Sequence, residues 1–127
     1  KKIALLLNEN VVLIGHSLGA IFLAKYLSEN KFPKKILATM LISSPYNDKD
    51  MEDPLGSFVL SKNLDKLNKQ GGRIFLYHSQ DDPVVPYSHL EGYRKELPNA
   101  ITRIFKNRGH FNQEEFLELI KDIKDLF

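Results

Sequence analysis

The sequence predicts an α/β protein, a three-layer sandwich around a mainly parallel sheet of about four strands. Short, near-continuous apolar runs alternate with longer segments of helical periodicity, the pattern of strands and helices taken in turn. The runs VVLI and ILATMLI are apolar at almost every position, as strands covered on both faces must be, whereas a half-solvated antiparallel strand would alternate. A length of 127 residues with 43% hydrophobic content suffices for one compact core and is too short for two ordinary domains, so residues 1–127 form a single domain.

Taken in order, KKIALLLNEN reads as the tail of an amphipathic helix, and residues 11–14 as the first strand. Residues 18–28 are apolar almost all round and predict a helix packed deep against the sheet, stopped before Pro33. The second strand spans 36–42. Residues 44–70 are the least regular stretch and predict a loop followed by one helix. Leu60, Leu64 and Leu67 form the stripe of that helix, and Gly71 and Gly72 end it. The third strand covers 73–77. Ser88 with Glu91 fits a capping box ahead of Leu90, Tyr93 and Leu97, a stripe that runs up to Pro98. The fourth strand covers 101–105. A final helix is expected with Asn112 as its cap, Glu115 three residues on, and Phe116, Leu119, Ile120, Ile123 and Phe127 along one face.

Composition excludes several classes of function. The 18 basic and 16 acidic residues are spread along the chain for a formal charge of +2, without the basic footprint of a nucleic-acid binder. The apolar runs are far shorter than the roughly 20 residues needed to cross a bilayer, so no membrane partner is expected. With no cysteine there is no disulfide framework or thiolate nucleophile, and the cytoplasm is the expected compartment. No two histidines have metal-ligand spacing, and neither a metal nor any other cofactor is expected.

The chemistry lies in GHSLGA, which follows the first strand directly. In G-x-S-x-G a serine projects from a sharp strand-to-helix turn whose neighbours, Gly15 and Gly19, must be small to avoid the helix and the adjacent strand. The helix N-terminus favours negative charge developing beside Ser17, and the N–H of Leu18 becomes an oxyanion donor. His16 fills the variable position of the elbow, suited to packing or to orienting a catalytic neighbour. The pentapeptide alone fits equally a glycine-rich turn with a capping serine. A dinucleotide-type phosphate turn fits less well, because GHSLGA is not G-x-G-x-x-G and the next strand ends in ISSPY without an acidic residue for a ribose.

A serine needs a base and a carboxylate to orient that base. HSQDDPVVP follows the third strand and offers Asp82; RGHF follows the fourth and offers His110. Loops after parallel strands share one edge of the sheet, so these residues can converge. Taken singly, Asp82 reads as a turn-forming or helix-capping carboxylate and His110 as an exposed loop histidine. The order Ser, Asp, His, each directly after a strand, is what joins them. Asp81 is expected to face solvent or cap its loop, His78 to pack or hydrogen-bond within its loop, and His89 to sit in a first helical turn with no partner.

GHSLGA, DDPVVP and RGHFNQEEFLELI together resemble the small single-domain serine hydrolases related to retinoblastoma-binding protein nine, within the α/β-hydrolase superfamily. The resemblance runs from Val11 to the C-terminus and implies a triad of Ser17, Asp82 and His110 acting on small carboxylic esters or amides. It also implies a truncated fold, the C-terminal two thirds of the family's, because members carry a strand and a loop with a second oxyanion donor ahead of the nucleophile strand. Loss of one such donor typically costs about 10² to 10³ in rate, so a chain without it is expected to be feeble. Residues 11–14 would then form an apolar, unprotected edge through which the chain could self-associate. Two other functions share the same residues: an acyltransferase using the same triad, and a non-catalytic binding module in which the triad is residual. For the latter, Tyr46, Leu55 and Phe58 could supply a patch, although covering a pocket or filling core is the plainer role for them.

Overall fold

The computed structural model describes residues 2–7 and 10–127. Five strands form one sheet in sequence order: β1 (Lys2–Leu7), β2 (Asn10–His16), β3 (Lys35–Ile42), β4 (Arg73–Ser79) and β5 (Ile101–Phe105). The four strands from β2 to β5 pair in parallel, while β1 runs antiparallel to β2 from Lys2 opposite Gly15 to Leu7 opposite Asn10. The expected helix tail at the front is therefore a strand. Its residues have good helix propensity, but the free ladder of β2 offers backbone partners to alternate residues along it, and tertiary pairing overrides a weak local preference. The bare edge expected at residues 11–14 is consequently occupied by β1.

Alternation along the buried strands sorts the core into two layers. On one face Val11, Leu13, Ile36, Leu41, Ile74 and Leu76 pack against three helices, α1 (Leu18–Glu29), α2 (Asp65–Gln70) and α3 (His89–Glu96). On the other, Val12, Ile14, Met40, Ile42, Phe75 and Tyr77 meet Phe111 and α4 (Leu117–Lys124). That second layer carries one buried polar tie. Asp122 of α4 accepts from Tyr77 Oη at 2.9 Å and from the Arg103 guanidinium at 2.9 and 3.1 Å. Burial opposes its charge, but these donors outweigh the cost and hold its pKa below the ordinary value.

Three boundaries differ from expectation. Leu60 and Leu64 do pack into the first core layer, but the helix there begins only at Asp65, and a single 3₁₀ turn, Gly56–Phe58, precedes it. Gly72 closes the connection with φ of 66°, where a Cβ would stand 2.4 Å from the carbonyl oxygens of Ile36 and Leu37. Ser88 forms no side-chain cap because turn bonds from His89 to Pro86 and Leu90 to Tyr87 already place it in helical conformation, with φ of −60°. Nor does Asn112 cap α4. Phe111 and Phe116 stack at 5.2 Å over Phe105, which keeps the intervening residues in a loop and delays the helix to Leu117. The packed face is accordingly Phe116, Leu119, Ile123 and Leu126, while Ile120 and Phe127 are exposed.

Of the candidate patch residues, Leu55 is buried and Tyr46 packs against the core, its ring seated on Gly92; only Phe58 keeps substantial exposure, its ring edge against Phe22.

Candidate active site

β2 ends at His16, and the chain turns into α1 through Ser17, whose φ of 58° and ψ of −118° lie where L residues are strained. The turn is held from both sides. Ser17 N–H donates to the Ile42 carbonyl at the end of β3 (2.9 Å), and its own carbonyl accepts from Ala20 and Ile21. Gly15 lets α1 pass against the strand: a Cβ there would lie 2.7 Å from Ala20 Cα and from the Gly19 carbonyl oxygen. The Ser17 side chain makes no capping bond to the helix it precedes. Its Oγ instead stands 3.0 Å from His110 Nε2. Leu18, the first residue of α1, has an N–H with no partner inside the helix, at the positive end of the helix dipole, and is itself 49% exposed.

Asp82 follows β4 and is 9% exposed. The turn carboxylate and the histidine partner prove to be one group. Oδ1 accepts the N–H groups of Val84 and Val85 at 2.8 and 2.9 Å, closing the DDPVV turn, while Oδ2 accepts from Ser43 Oγ at 2.7 Å. His110 Nδ1 lies 3.1 Å from Oδ2 and 3.2 Å from Oδ1. Burial alone would resist ionisation. The hydrogen bonds from His110, Val85, Ser43 and Val84 outweigh it and hold the carboxyl at about 2.

His110 is aimed by its flanks. Gly109 and Phe111 both take φ of 57°, and the buried Phe111 ring anchors the loop in the second core layer. His16 presents its ring to the His110 ring at 4.8 Å and donates from Nε2 to the His110 carbonyl at 2.6 Å, so the variable position of the elbow steadies the backbone of the imidazole. Burial lowers the His16 pKa, against the opposing effect of that hydrogen bond, and keeps the ring neutral.

The neighbours sort themselves by contact. Asp81, exposed, accepts from Ser79 Oγ at 2.6 Å and from Gly109 N–H at 2.9 Å, stapling the Asp82 loop to the His110 loop. His78 is buried and donates from Nε2 to the Val85 carbonyl at 2.9 Å, 3.9 Å from Asp82 Oδ2. His89 does have partners: its Nδ1 accepts from Tyr46 N–H and its Nε2 donates to the Lys49 carbonyl, fastening the loop after β3 to α3. Sequence reasoning passed over Ser43 and Ser79. The signal for Ser43 was its place directly after β3, the same register at which Ser17 follows β2. Among the described residues no group of three or more histidines and carboxylates could hold a metal, and no helix is long and apolar enough to cross a membrane.

A parallel sheet flanked by helices, with an elbow serine, a carboxylate and a histidine meeting beyond the carboxyl ends of its strands, has the architecture of an α/β hydrolase. The ydeN gene product of B. subtilis shares that fold with a TM-score of 0.81 at 19% identity, over 91% of this chain and 64% of its own. A carboxylesterase structure from Nitrososphaera gargenis does so with a TM-score of 0.68 at 15% identity, over 93% and 65%. The chain belongs to the serine hydrolase family, whose sequence model matches residues 3–127. Serine hydrolase RBBP9 of Rattus norvegicus is 29% identical over 121 residues, which cover 94% of this chain and 62% of the relative. The chain thus spans about 62% of the length of that curated relative.

Proposed function

We propose that this protein cleaves small carboxylic esters or amides through an acyl-enzyme on Ser17. The observation that carries the reading is the relay itself: Ser17 Oγ 3.0 Å from His110 Nε2, and His110 Nδ1 3.1 Å from Asp82 Oδ2. Asp82, ionised at any pH near neutrality, accepts the Nδ1 proton and so leaves the Nε2 lone pair facing the serine hydroxyl. As Oγ attacks the carbonyl carbon, Nε2 takes its proton, and the negative charge that forms on the carbonyl oxygen is met by Leu18 N–H. Collapse of the tetrahedral adduct expels the alcohol or amine, protonated by His110. Water then attacks the acyl-serine, again through His110, and releases the acid.

The carboxylesterase among the structural neighbours points to the same bond. A cysteine-free chain asks for no oxidising compartment, and we place it in the cytoplasm. The test is covalent labelling by a fluorophosphonate, with the modified residue located by peptide mass. Label on Ser17, absent in Ser17→Ala and in His110→Ala, is the expected result. Label elsewhere, or retained in Ser17→Ala, overturns the reading.

A further inference from the structure

Two oxygens of Asp82 are held in different ways. Oδ1 is gripped by two backbone N–H groups of its own turn and Oδ2 by Ser43 Oγ alone, at 2.7 Å, while His110 Nδ1 reaches both oxygens, at 3.2 and 3.1 Å. Ser43 is fully buried and lies directly after β3, on a different element from Asp82. Its N–H continues the β3–β4 ladder by donating to the Tyr77 carbonyl at 2.8 Å, and its φ of 47° is a conformation that glycine takes freely and serine does not. Backbone preference alone would favour glycine here. What serine adds is the hydroxyl.

We propose that Ser43 is a positioning residue: its hydroxyl fixes the rotation of the Asp82 carboxylate about its own side chain, so that the edge carrying both oxygens faces His110 Nδ1. The inference rests on the serine hydrolase reading above and adds to it the element that aims the acid. With the hydroxyl gone, the turn still grips Oδ1, but the plane of the carboxylate is free to swing about that grip. The imidazole then spends less time with its proton on Nδ1 and its lone pair toward Ser17.

The test compares Ser43→Ala with Ser43→Gly in the full chain, measuring the rate constant of fluorophosphonate labelling and the proton resonance of His110 Nδ1–H, the latter identified by its loss in His110→Ala. Both variants lack the hydroxyl, but glycine relieves the left-handed strain that alanine keeps, so they should differ in melting temperature. A purely structural role would make labelling follow stability. Positioning instead requires that both variants label about 10- to 100-fold more slowly, the range spanned by a hydrogen bond to a charged group, and that the Nδ1–H resonance shift in both. Wild-type labelling and an unmoved resonance in the well-folded Ser43→Gly protein overturn the inference while leaving the hydrolase reading intact. Labelling that survives Ser17→Ala overturns both.

Discussion

Replacing Asp82 by asparagine separates the two tasks of that residue. Asparagine can keep its carbonyl oxygen on Val84 and Val85 N–H, where Asp82 Oδ1 sits at 2.8 and 2.9 Å, so the turn survives. Its amide NH₂ then occupies the Oδ2 position and points donors at Ser43 Oγ and at His110 Nδ1, both of which donate in the native site. Ser43 can rotate its hydroxyl to accept. His110 meets that NH₂ as an acceptor by moving its proton to Nε2, which removes the lone pair that faces Ser17 at 3.0 Å; a proton kept on Nδ1 would face the NH₂ donor and have only the 3.2 Å contact to the oxygen already taken by Val84 and Val85. Labelling by a fluorophosphonate should fall by about 10⁴, the order seen when a triad histidine is held in the wrong tautomer.

The stability cost is smaller and has a pH signature. A carboxyl moved from 3.8 to about 2 contributes about 2 kcal/mol at neutral pH, at 1.36 kcal/mol per unit. Because the folded pKa is depressed, that contribution is complete above about pH 4 and disappears as pH falls through about 2. Urea melts of the native protein should show this loss, and those of Asp82→Asn should lack it. A variant that labels within tenfold of the native rate would refute the argument, since it would mean that His110 does not take its tautomer from Asp82.

Other perturbations probe the scaffold of the site. Gly15→Ala puts a Cβ 2.7 Å from the backbone of α1 and should cost about 1–3 kcal/mol, read from the urea midpoint; an unchanged midpoint would mean that the elbow is looser than described. Burial lowers the His78 pKa, against the pull of the Val85 carbonyl and the Asp82 charge, so the unfolded chain binds its proton first. Stability should therefore fall below pH 6.5, by up to about 1.4 kcal/mol per pH unit, and His78→Gln should flatten that slope between pH 7 and 5. Asp81→Ala, which leaves Gly109 N–H without its acceptor and Ser79 Oγ with only the Arg108 N–H it accepts, should slow labelling about 3- to 10-fold, and Asp81→Asn, which keeps an acceptor, should restore most of it. If asparagine is as slow as alanine, the charge and not the acceptor matters.

The buried strands were legible because parallel pairing leaves no solvated face, and VVLI and ILATMLI carry between them a single polar residue, Thr39, which is buried and donates to the Gly71 carbonyl. β1 was not, since IALLL carries no period of its own and its assignment depends on a partner strand. The same limit applies to α4. N-Q-E-E-F has the letters of a capped helix start, but where the helix begins is decided by ring stacking of Phe116 on Phe111, a contact that no helix-start signal in the sequence encodes. Ser88 failed as a cap for a related reason: Pro86 had already started the turn. Only at α4 did a packing contact outrank a local signal: β1 had none to outrank, and at Ser88 one local turn pre-empted another.

Within the site the failure runs the other way, because its residues break local rules instead of obeying them. Of the non-glycine residues with positive φ among those described, Ser17, Ser43 and Phe111 stand in or beside the relay, and only Asp50 lies outside it. Three segments that follow strands thus hold a residue in a conformation its side chain disfavours, and each departure turns a group toward one point beyond the sheet. Ser17 turns its hydroxyl away from the helix cap, Ser43 turns its own toward Asp82, and Phe111 buries its ring so that His110 is carried outward. The strain persists because the surroundings over-determine it: the Ile42 carbonyl holds the first, the Tyr77 carbonyl the second, and the Phe105–Phe111–Phe116 cluster the third. Relieving either serine by glycine should therefore raise or preserve stability while slowing the chemistry through the lost hydroxyl, whereas Phe111→Gly also empties a buried core position and should destabilise the fold. That sets Ser43→Gly apart from a glycine introduced at Asp50, where φ is 57° and no contact reaches Asp82, His110 or Ser17.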